Sequence, residues 1–330
     1  MDKVRIGLVG CGYMGRFHAR KLAEIKTAQF VGCFDLDREK AAATAREHKV
    51  RVFDGFDSMM PHIDAVSVAV PTSAHLDVAS PFLIARKPVL LEKPIAGDLA
   101  SAEKLLLLSN QTRTILQIGH SERFNPAFLA VEKGITDPKF IETHRLAPFK
   151  GRGIDVPVIF DLMVHDLDLI MSMTGSTPSR IEAAGVAVLT DTVDIANARL
   201  EFPGGCVANV TASRISVKEM RKLRVFQKSG YTSIDLAGRE AEQYAVVPQG
   251  DDAYRKTSIF GRLGLPDGRA VVRRKVDIPS GDNLGFEIAS FIEAVQGKHA
   301  PVVSAQDGYN VLKVATEIDR LCGEYLKRIK

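Results

Sequence analysis

Val4-Arg5-Ile6-Gly7-Leu8-Val9-Gly10-Cys11-Gly12-Tyr13-Met14-Gly15 is the stretch that decides the fold. Val4 to Val9 is a short aliphatic run, and glycines follow it in the order G-x-G-x-x-G just where a helical pattern begins. In that context each glycine has its own task. Gly10 permits a tight turn, Gly12 lets the backbone approach a pyrophosphate, and Gly15 lets helix and strand lie close. The helix N-terminus, with Tyr13 and Met14 in its first turn, offers free N–H groups and a positive dipole end to the anion. Twenty positions after Gly15 the second apolar run ends at Asp35, where a carboxylate accepts hydrogen bonds from adenosine ribose hydroxyls. The same carboxylate repels a 2′-phosphate, so the expected cofactor is NAD rather than NADP, with Arg38 near enough in sequence to complicate that preference. A glycine turn followed by an ordinary strand-end aspartate is the bland alternative.

Working outward, Val4 to His120 alternates short β-branched runs with helical stretches, the signature of a parallel sheet with crossover helices. Strands are expected at Val4–Val9, Phe30–Phe34, Val50–Phe53, Ala65–Val70, Pro88–Leu91 and Ile115–Ile118. Helices are expected at Met14–Ile25, Arg38–Glu47, Ala74–Ala85 and Leu99–Leu108, with Asp37 and Asp98 as N-caps. After His120 the rhythm changes. Ile181–Leu189, Ala196–Phe202 and Val207–Ile215 read as antiparallel strands, with Pro203-Gly204-Gly205 as a turn, and Lys222–Gln227, Thr232–Leu236 and Glu242–Val247 extend the sheet. Helices Leu284–Val295 and Asp307–Ile329 close the chain. The expected architecture is α/β: a doubly wound parallel sheet of Rossmann type in residues 1–120, then an α+β domain with a large, mostly antiparallel sheet in residues 121–330.

Composition narrows the functional classes. The 330 residues are 45% hydrophobic and 25% charged, with 44 Lys+Arg against 40 Asp+Glu. That is ordinary globular usage, and the small net charge leaves no nucleic-acid footprint beyond a basic cluster at Lys218 to Arg224. No apolar run approaches the roughly 18–20 residues of a membrane helix. With no room for a signal peptide before Val4, a cytoplasmic protein is expected. Cys11, Cys33, Cys206 and Cys322 form no C-x-x-C pair, so reduced, buried thiols are expected.

Two segments carry candidate chemistry. Glu92-Lys93-Pro94 follows the fifth strand, at the carboxyl end of the sheet where open α/β folds bind ligands. By itself Lys93 reads as a solvated lysine. Asp161 to Asp168 lies in an expected helix whose Phe160, Met163, Val164, Leu167, Ile170 and Met171 form an apolar face, leaving Asp161, His165, Asp168 and Ser172 on one polar stripe. A carboxylate beside an imidazole fixes its tautomer and raises its basicity, as a general base near neutral pH requires. A histidine satisfied by its helix-mate is an equal reading. Metal ligation is a third, but the spacing of His120 and His144 recruits neither, and no metal is expected.

These motifs together, GCGYMG from Gly10, Asp35, Val70-Pro71-Thr72 with His75, Glu92-Lys93-Pro94 and Asp161-x-x-x-His165, resemble the Gfo/Idh/MocA family of nicotinamide-dependent oxidoreductases along essentially the whole chain. The resemblance implies that Lys93, Asp161 and His165 surround the substrate carbinol and are catalytic. It also implies that Pro71, Thr72, His75 and Glu92 join the glycine loop in binding cofactor. Gly119 to Pro126, His144 to Lys150, Asp161 to Ile170 and Val193 to Leu200 are similar to the nucleotide-sugar branch of the family. Members of that branch oxidise the C3 hydroxyl of UDP-N-acetylglucosamine with NAD, giving a 3-keto sugar for an aminotransferase on the way to an amide-linked lipid A. The stretch Asp155 to Phe160, where inositol dehydrogenases often carry a glycine-rich approach, points the same way.

A UDP-sugar needs cations at its pyrophosphate, and Lys150, Arg152 and Arg123 are candidates, against the alternative of a solvated loop. Asn125 is a candidate for a sugar hydroxyl, or else caps a turn before Pro126. The family resemblance further implies pairing through the second sheet into a homodimer or homotetramer. A different sugar or cyclitol dehydrogenase, or a dinucleotide-responsive regulator without turnover, are the competing readings.

Overall fold

A computed structural model describes residues 3–149, 156–228, 230–256 and 261–329. The chain divides into two compact units, Met1–Phe124 with Gly281–Lys313, and Asn125–Ser280 with Val314–Lys330.

The first unit alternates strand and helix: β1 (Val4–Val9), α1 (Tyr13–Glu24), β2 (Ala28–Phe34), α2 (Arg38–His48), β3 (Arg51–Val52), α3 (Phe56–Met59), β4 (Ala65–Val68), α4 (His75–Ile84), β5 (Val89–Glu92), α5 (Leu99–Thr112) and β6 (Leu116–Gly119). The strands pair in parallel in the order β3-β2-β1-β4-β5-β6. The order reverses between β1 and β4, so a crevice opens at their carboxyl ends, where such sheets take ligands. All six expected strands form. The near-continuous burial of β1, β4 and β6 follows from helices on both faces. Asp37 and Asp98 cap α2 and α5, each carboxylate accepting N–H bonds from the first turn.

In the second unit come α6 (Pro126–Leu129), β7 (Phe140–Leu146), a π-turn at Ile159–Met163 leading into α7 (Val164–Thr174), β8 (Arg180–Val186), β9 (Ile195–Glu201), β10 (Val207–Ser213), β11 (Met220–Gln227), β12 (Gly230–Asp235), β13 (Glu240–Pro248), α8 (Asp252–Lys256), β14 (Arg262–Gly264) and β15 (Arg269–Lys275). Among the described residues these strands build one sheet in the order β14-β15-β13-β12-β11-β7-β10-β9-β8. Neighbours are antiparallel except β7 and β10, which run parallel. Three of these strands, β7, β14 and β15, are additions to the sequence reading.

The chain then closes with α9 (Asn283–Val295) and α10 (Ala305–Ile329). Ile288, Phe291 and Ile292 of α9 are buried in the same cluster as Ile6, Leu8, Ala19 and Leu22, and α9 packs on α1 and on the turn Ser121–Phe124. The first unit therefore recruits a late segment to finish its core. For that reason its first stretch ends at Phe124 rather than at residue 120, and residues 281–313 group with it rather than with the later unit.

Candidate active site

The loop after β1 has the geometry the glycines imply. Gly10 sits at φ +92°, and a Cβ there would lie 2.4 Å from the Ala69 carbonyl oxygen. At Gly15 a Cβ would lie 1.9 Å from the Gly10 oxygen, so only glycine lets α1 approach the loop this closely. A Cβ on Gly12 would meet nothing within 4 Å. Gly12 is thus free of any packing demand, and it is the N-cap of α1 without a side-chain cap, leaving first-turn N–H groups for an anion. Tyr13 and Met14 are exposed beside it, at 61% and 39%. Apolar surface at the mouth of such a loop suits a cofactor that covers it. The residues present therefore fit a dinucleotide.

Asp35, half-buried at the end of β2, accepts from Cys11 N–H at 2.6 Å through Oδ2 and from Asp37 N–H at 2.8 Å through Oδ1. Each carboxylate oxygen has a second lone pair, so ribose hydroxyls can still be bound by a group already fixed in orientation. Arg38 stands on the surface, 3.7 Å from Asp54 with both side chains 84% exposed.

At the end of β5 a buried chain of hydrogen bonds reaches Glu92. His18 of α1, 1% exposed, has Nδ1 2.7 Å from Ser67 Oγ on β4 and Nε2 2.8 Å from Glu92 Oε1. Nε2 donates to the Glu92 carboxylate, which can only accept, and the Ser67 hydroxyl can take either role toward Nδ1. Burial works to raise the Glu92 carboxyl, but its bond to His18 and the charges of His18 and Lys93 hold it below the ordinary value. Glu92 is thereby fixed next to half-buried Lys93, which is joined to Pro94 by a cis peptide. His18 went unsingled in the sequence. Its place one turn beyond Gly15, on the buried side of α1 with Ala19 and Leu22, is the signal that could have found it.

His75 departs from expectation. It is 1% exposed, with Nδ1 2.9 Å from the Pro94 oxygen and Nε2 3.2 Å from the Val70 oxygen. Its ring ties the loop after β4 to the turn after β5 instead of presenting itself to a ligand. Pro71 is exposed and Thr72 half-buried on that same loop.

In the second unit, Asp161 lies in the π-turn and His165 in the first turn of α7, both half-buried. The expected continuous stripe breaks here. Val164 N–H bonds back to Ile159, five residues earlier, so Asp161 is not set by regular α-helical spacing. Asp168, placed on that stripe, is fully buried. Asp166, which the sequence reading passed over, is also buried and pairs with Arg145 of β7, Nε to Oδ2 at 2.9 Å and Nη2 to Oδ1 at 2.9 Å. Of the proposed substrate contacts, Asn125 is 2% exposed and caps α6, accepting from Ala127 N–H and donating to the Leu236 carbonyl. The capping role is the one the structure displays. Arg123 is 9% exposed on the turn against α9, not on an open loop. Lys150 and Arg152 lie outside the described residues.

A 3-2-1-4-5-6 parallel sheet with an open glycine cradle and an oriented Asp35, followed by a unit built on one large sheet, defines a two-unit dinucleotide-binding protein. Residues 4–120 match the model of an oxidoreductase family with an NAD-binding Rossmann fold, and residues 142–232 match the GFO/IDH/MocA C-terminal domain. The chain belongs to the Gfo/Idh/MocA family of oxidoreductases. It is 35% identical to UDP-N-acetylglucosamine 3-dehydrogenase from Acidithiobacillus ferrooxidans, over 99% of this chain and 100% of that one. A solved structure of that enzyme superposes with a TM-score of 0.88, covering 99% of each chain. Inositol 2-dehydrogenase from Rhizobium meliloti is 30% identical over 57% of this chain and 60% of its own. The fold is shared with scyllo-inositol dehydrogenase from Lactobacillus casei, solved with NAD(H) and scyllo-inositol, at a TM-score of 0.77, 20% identity and 98% coverage of both chains. The family model matched by residues 4–120 is that of an NAD-binding fold, in keeping with the dinucleotide cradle after β1.

Proposed function

We propose that this enzyme oxidises the C3 hydroxyl of UDP-N-acetylglucosamine with NAD, giving the 3-keto nucleotide sugar. The observation that carries the reading is 35% identity over the full length to a dehydrogenase of that name, against 30% over 57% of this chain for the inositol 2-dehydrogenase and 20% over 98% of it for scyllo-inositol dehydrogenase. Retention of Lys93, Asp161 and His165 together supports turnover over a purely regulatory role. The ketone is ready for transamination, which suits a place before an amide-linked lipid A, in the cytoplasm.

The chemistry assigns the roles. When a secondary alcohol is oxidised, a proton leaves oxygen while hydride leaves carbon, so the transition state carries alkoxide character. Bound NAD supplies the hydride acceptor. His165 takes the hydroxyl proton, and Asp161 orients the imidazole and supports its positive charge. The Lys93 ammonium hydrogen-bonds the developing oxyanion, on a strand end that the Glu92–His18 bond keeps in place.

A homodimer or homotetramer is part of the same reading. Its support is the run of half-exposed rings on one face of the large sheet, Phe140, Phe226, Tyr231 and Tyr244, with successive centroids 6.0, 5.2 and 4.3 Å apart. A monomer by sedimentation at micromolar concentration would remove it.

The test mixes stoichiometric enzyme and NAD with UDP-N-acetylglucosamine and follows NADH absorbance, with myo-inositol and free N-acetylglucosamine in parallel. A signal with the UDP-sugar alone is expected. Lys93→Met should then lower kcat by about 100-fold or more while NAD affinity changes little, since the ammonium acts on charge formed in the transition state. Oxidation of myo-inositol alone would transfer the assignment to a cyclitol dehydrogenase.

A further inference from the structure

The chain that carries Asp161 and His165 bends through a π-turn, and buried arginines grip it on both sides. Downstream, the Arg145 fork holds both oxygens of Asp166, the residue after His165, with side chains 3% and 2% exposed. Upstream, Arg214 donates through Nη2 to the Val156 carbonyl, and its Nε lies 3.8 Å from Asp194 Oδ1. Asp194 is itself fixed by N–H bonds from Val188, Leu189 and Thr190, and its neighbour Val193 accepts from Val158 N–H.

Sheet topology places the two arginines together. β7 and β10 form the one parallel pair among the described strands of their sheet, with Ala212 opposite Arg145 and Ser213 opposite Leu146. Arg145 near the end of β7 and Arg214 just past β10 therefore leave the sheet at the same end, where the π-turn packs on β10 and α7 on both strands. Antiparallel pairing would have sent them to opposite ends. A buried ion pair is a poor way to gain stability, since its desolvation cost offsets its attraction, but a bidentate fork gives strong directional control. π-turns recur at functional sites, and the residue assigned as base lies two positions past this one.

We propose that Arg145 and Arg214 form a clamp on the π-turn, and that its work is to hold Asp161 and His165 at the angle from which the substrate proton is taken. Both are positioning residues. The proposal rests on the role given to His165 above, and the test separates the two.

Wild type, Arg145→Lys, His165→Ala and the double variant are compared in steady state with NAD and whichever of UDP-N-acetylglucosamine or myo-inositol the wild type oxidises, and each is checked by thermal melting. Arg145→Lys keeps the charge and loses the fork. It should lower kcat by about 10-fold or more, a cost in line with small misplacements of reacting groups, with KM and NAD affinity within about 2-fold. On the His165→Ala background the same change should lower residual turnover by less than about 2-fold, because the group it positions is gone. An equal loss on both backgrounds overturns the clamp and leaves a structural ion pair. A crippled His165→Ala beside a fully active Arg145→Lys also overturns it while sparing the base. An active His165→Ala removes the base reading and the clamp with it. Should Arg145→Lys not fold, Arg214→Lys enters the same cycle, since it weakens the upstream grip on Val156.

Discussion

Three glycines within six residues carry three different physical demands. Gly10 is bound by its φ of +92° and by the Ala69 carbonyl, Gly15 by the Gly10 carbonyl, and Gly12 by nothing in the protein itself. Open space at a position that no packing contact explains, on a loop read as a phosphate cradle, is what a bound pyrophosphate requires. Gly12→Ala should therefore fold normally, with Tm within about 2 °C of wild type, since φ at Gly12 is −73° and the space is open. Its NAD affinity should fall by about 10-fold or more, because the methyl enters the space of the pyrophosphate. Gly10→Ala should behave oppositely in its primary effect, losing stability through a strained φ that alone costs about 1–3 kcal/mol, before any binding is measured. Melting curves and NAD titrations on both variants decide it. Equal destabilisation, or normal NAD binding by Gly12→Ala, would show that the three glycines are not divided in this way.

Between elements, His75 is the pin that joins the loop after β4 to the turn after β5, and it makes that junction sensitive to acid. Burial pushes its pKa below the ordinary 6.5 despite carbonyls facing both ring nitrogens. The unfolded chain takes up this proton near pH 6.5, whereas the folded chain takes it only at a lower pH. In that window the unfolded state binds more protons, so stability falls as pH drops through about 6.5 toward the folded pKa, by at most about 1.4 kcal/mol per pH unit for one proton. Glu92 is also depressed, but as a carboxyl its contribution is lost in a lower range, below about pH 4.3. His75→Gln should therefore flatten the loss of stability between pH 7.5 and pH 5.5 in urea titrations. Parallel curves for variant and wild type would rule this out.

The same scale shows what sequence could and could not reveal. Strands β1 to β6 were legible because each is an apolar run between turn residues, and Asp37 and Asp98 mark helix starts by chemistry that works locally. Strand β7 was not, because Thr143 and Arg145 put polar groups on its buried side where the alternation calls for apolar ones, and the arginine is paired there with Asp166, 21 residues on. The π-turn was illegible for a related reason: its residues have ordinary helical periodicity, and the side chains that bond the chain on either side of it, Arg214 and Arg145, come from distant parts of the sequence. Asn125 shows the converse, a polar residue whose capping role before Pro126 is local chemistry and is visible in the sequence.

At the scale of the whole molecule, the first unit is discontinuous in sequence, and that sets what can fold alone. Residues up to Phe124 contain the full six-stranded sheet and every dinucleotide motif, yet the cluster around Ile6, Leu8 and Leu22 is completed by Ile288, Phe291 and Ile292, each at most 1% exposed. Further along, Val303 accepts from Ile118 N–H, and a Cβ on Gly308 would come within 2.6 Å of Ile118, so this stretch lies directly on β6. Burying one such aliphatic or aromatic side chain contributes about 1.5–3 kcal/mol, so losing three removes several kcal/mol, comparable with the whole margin of about 5–15 kcal/mol that a domain possesses. Residues 1–124 expressed alone should therefore lack a cooperative melting transition and bind no NAD. The turn Ser121–Phe124 packs on α9, whose 13 residues span about 20 Å, so a glycine-serine linker of about a dozen residues can join Phe124 to Gly281. The linked form, 1–124 followed by 281–313, should recover both the transition and NAD binding, with the substrate unit absent. If residues 1–124 melt cooperatively and bind NAD as well as the linked form, α9 is an accessory to this core and not a part of it.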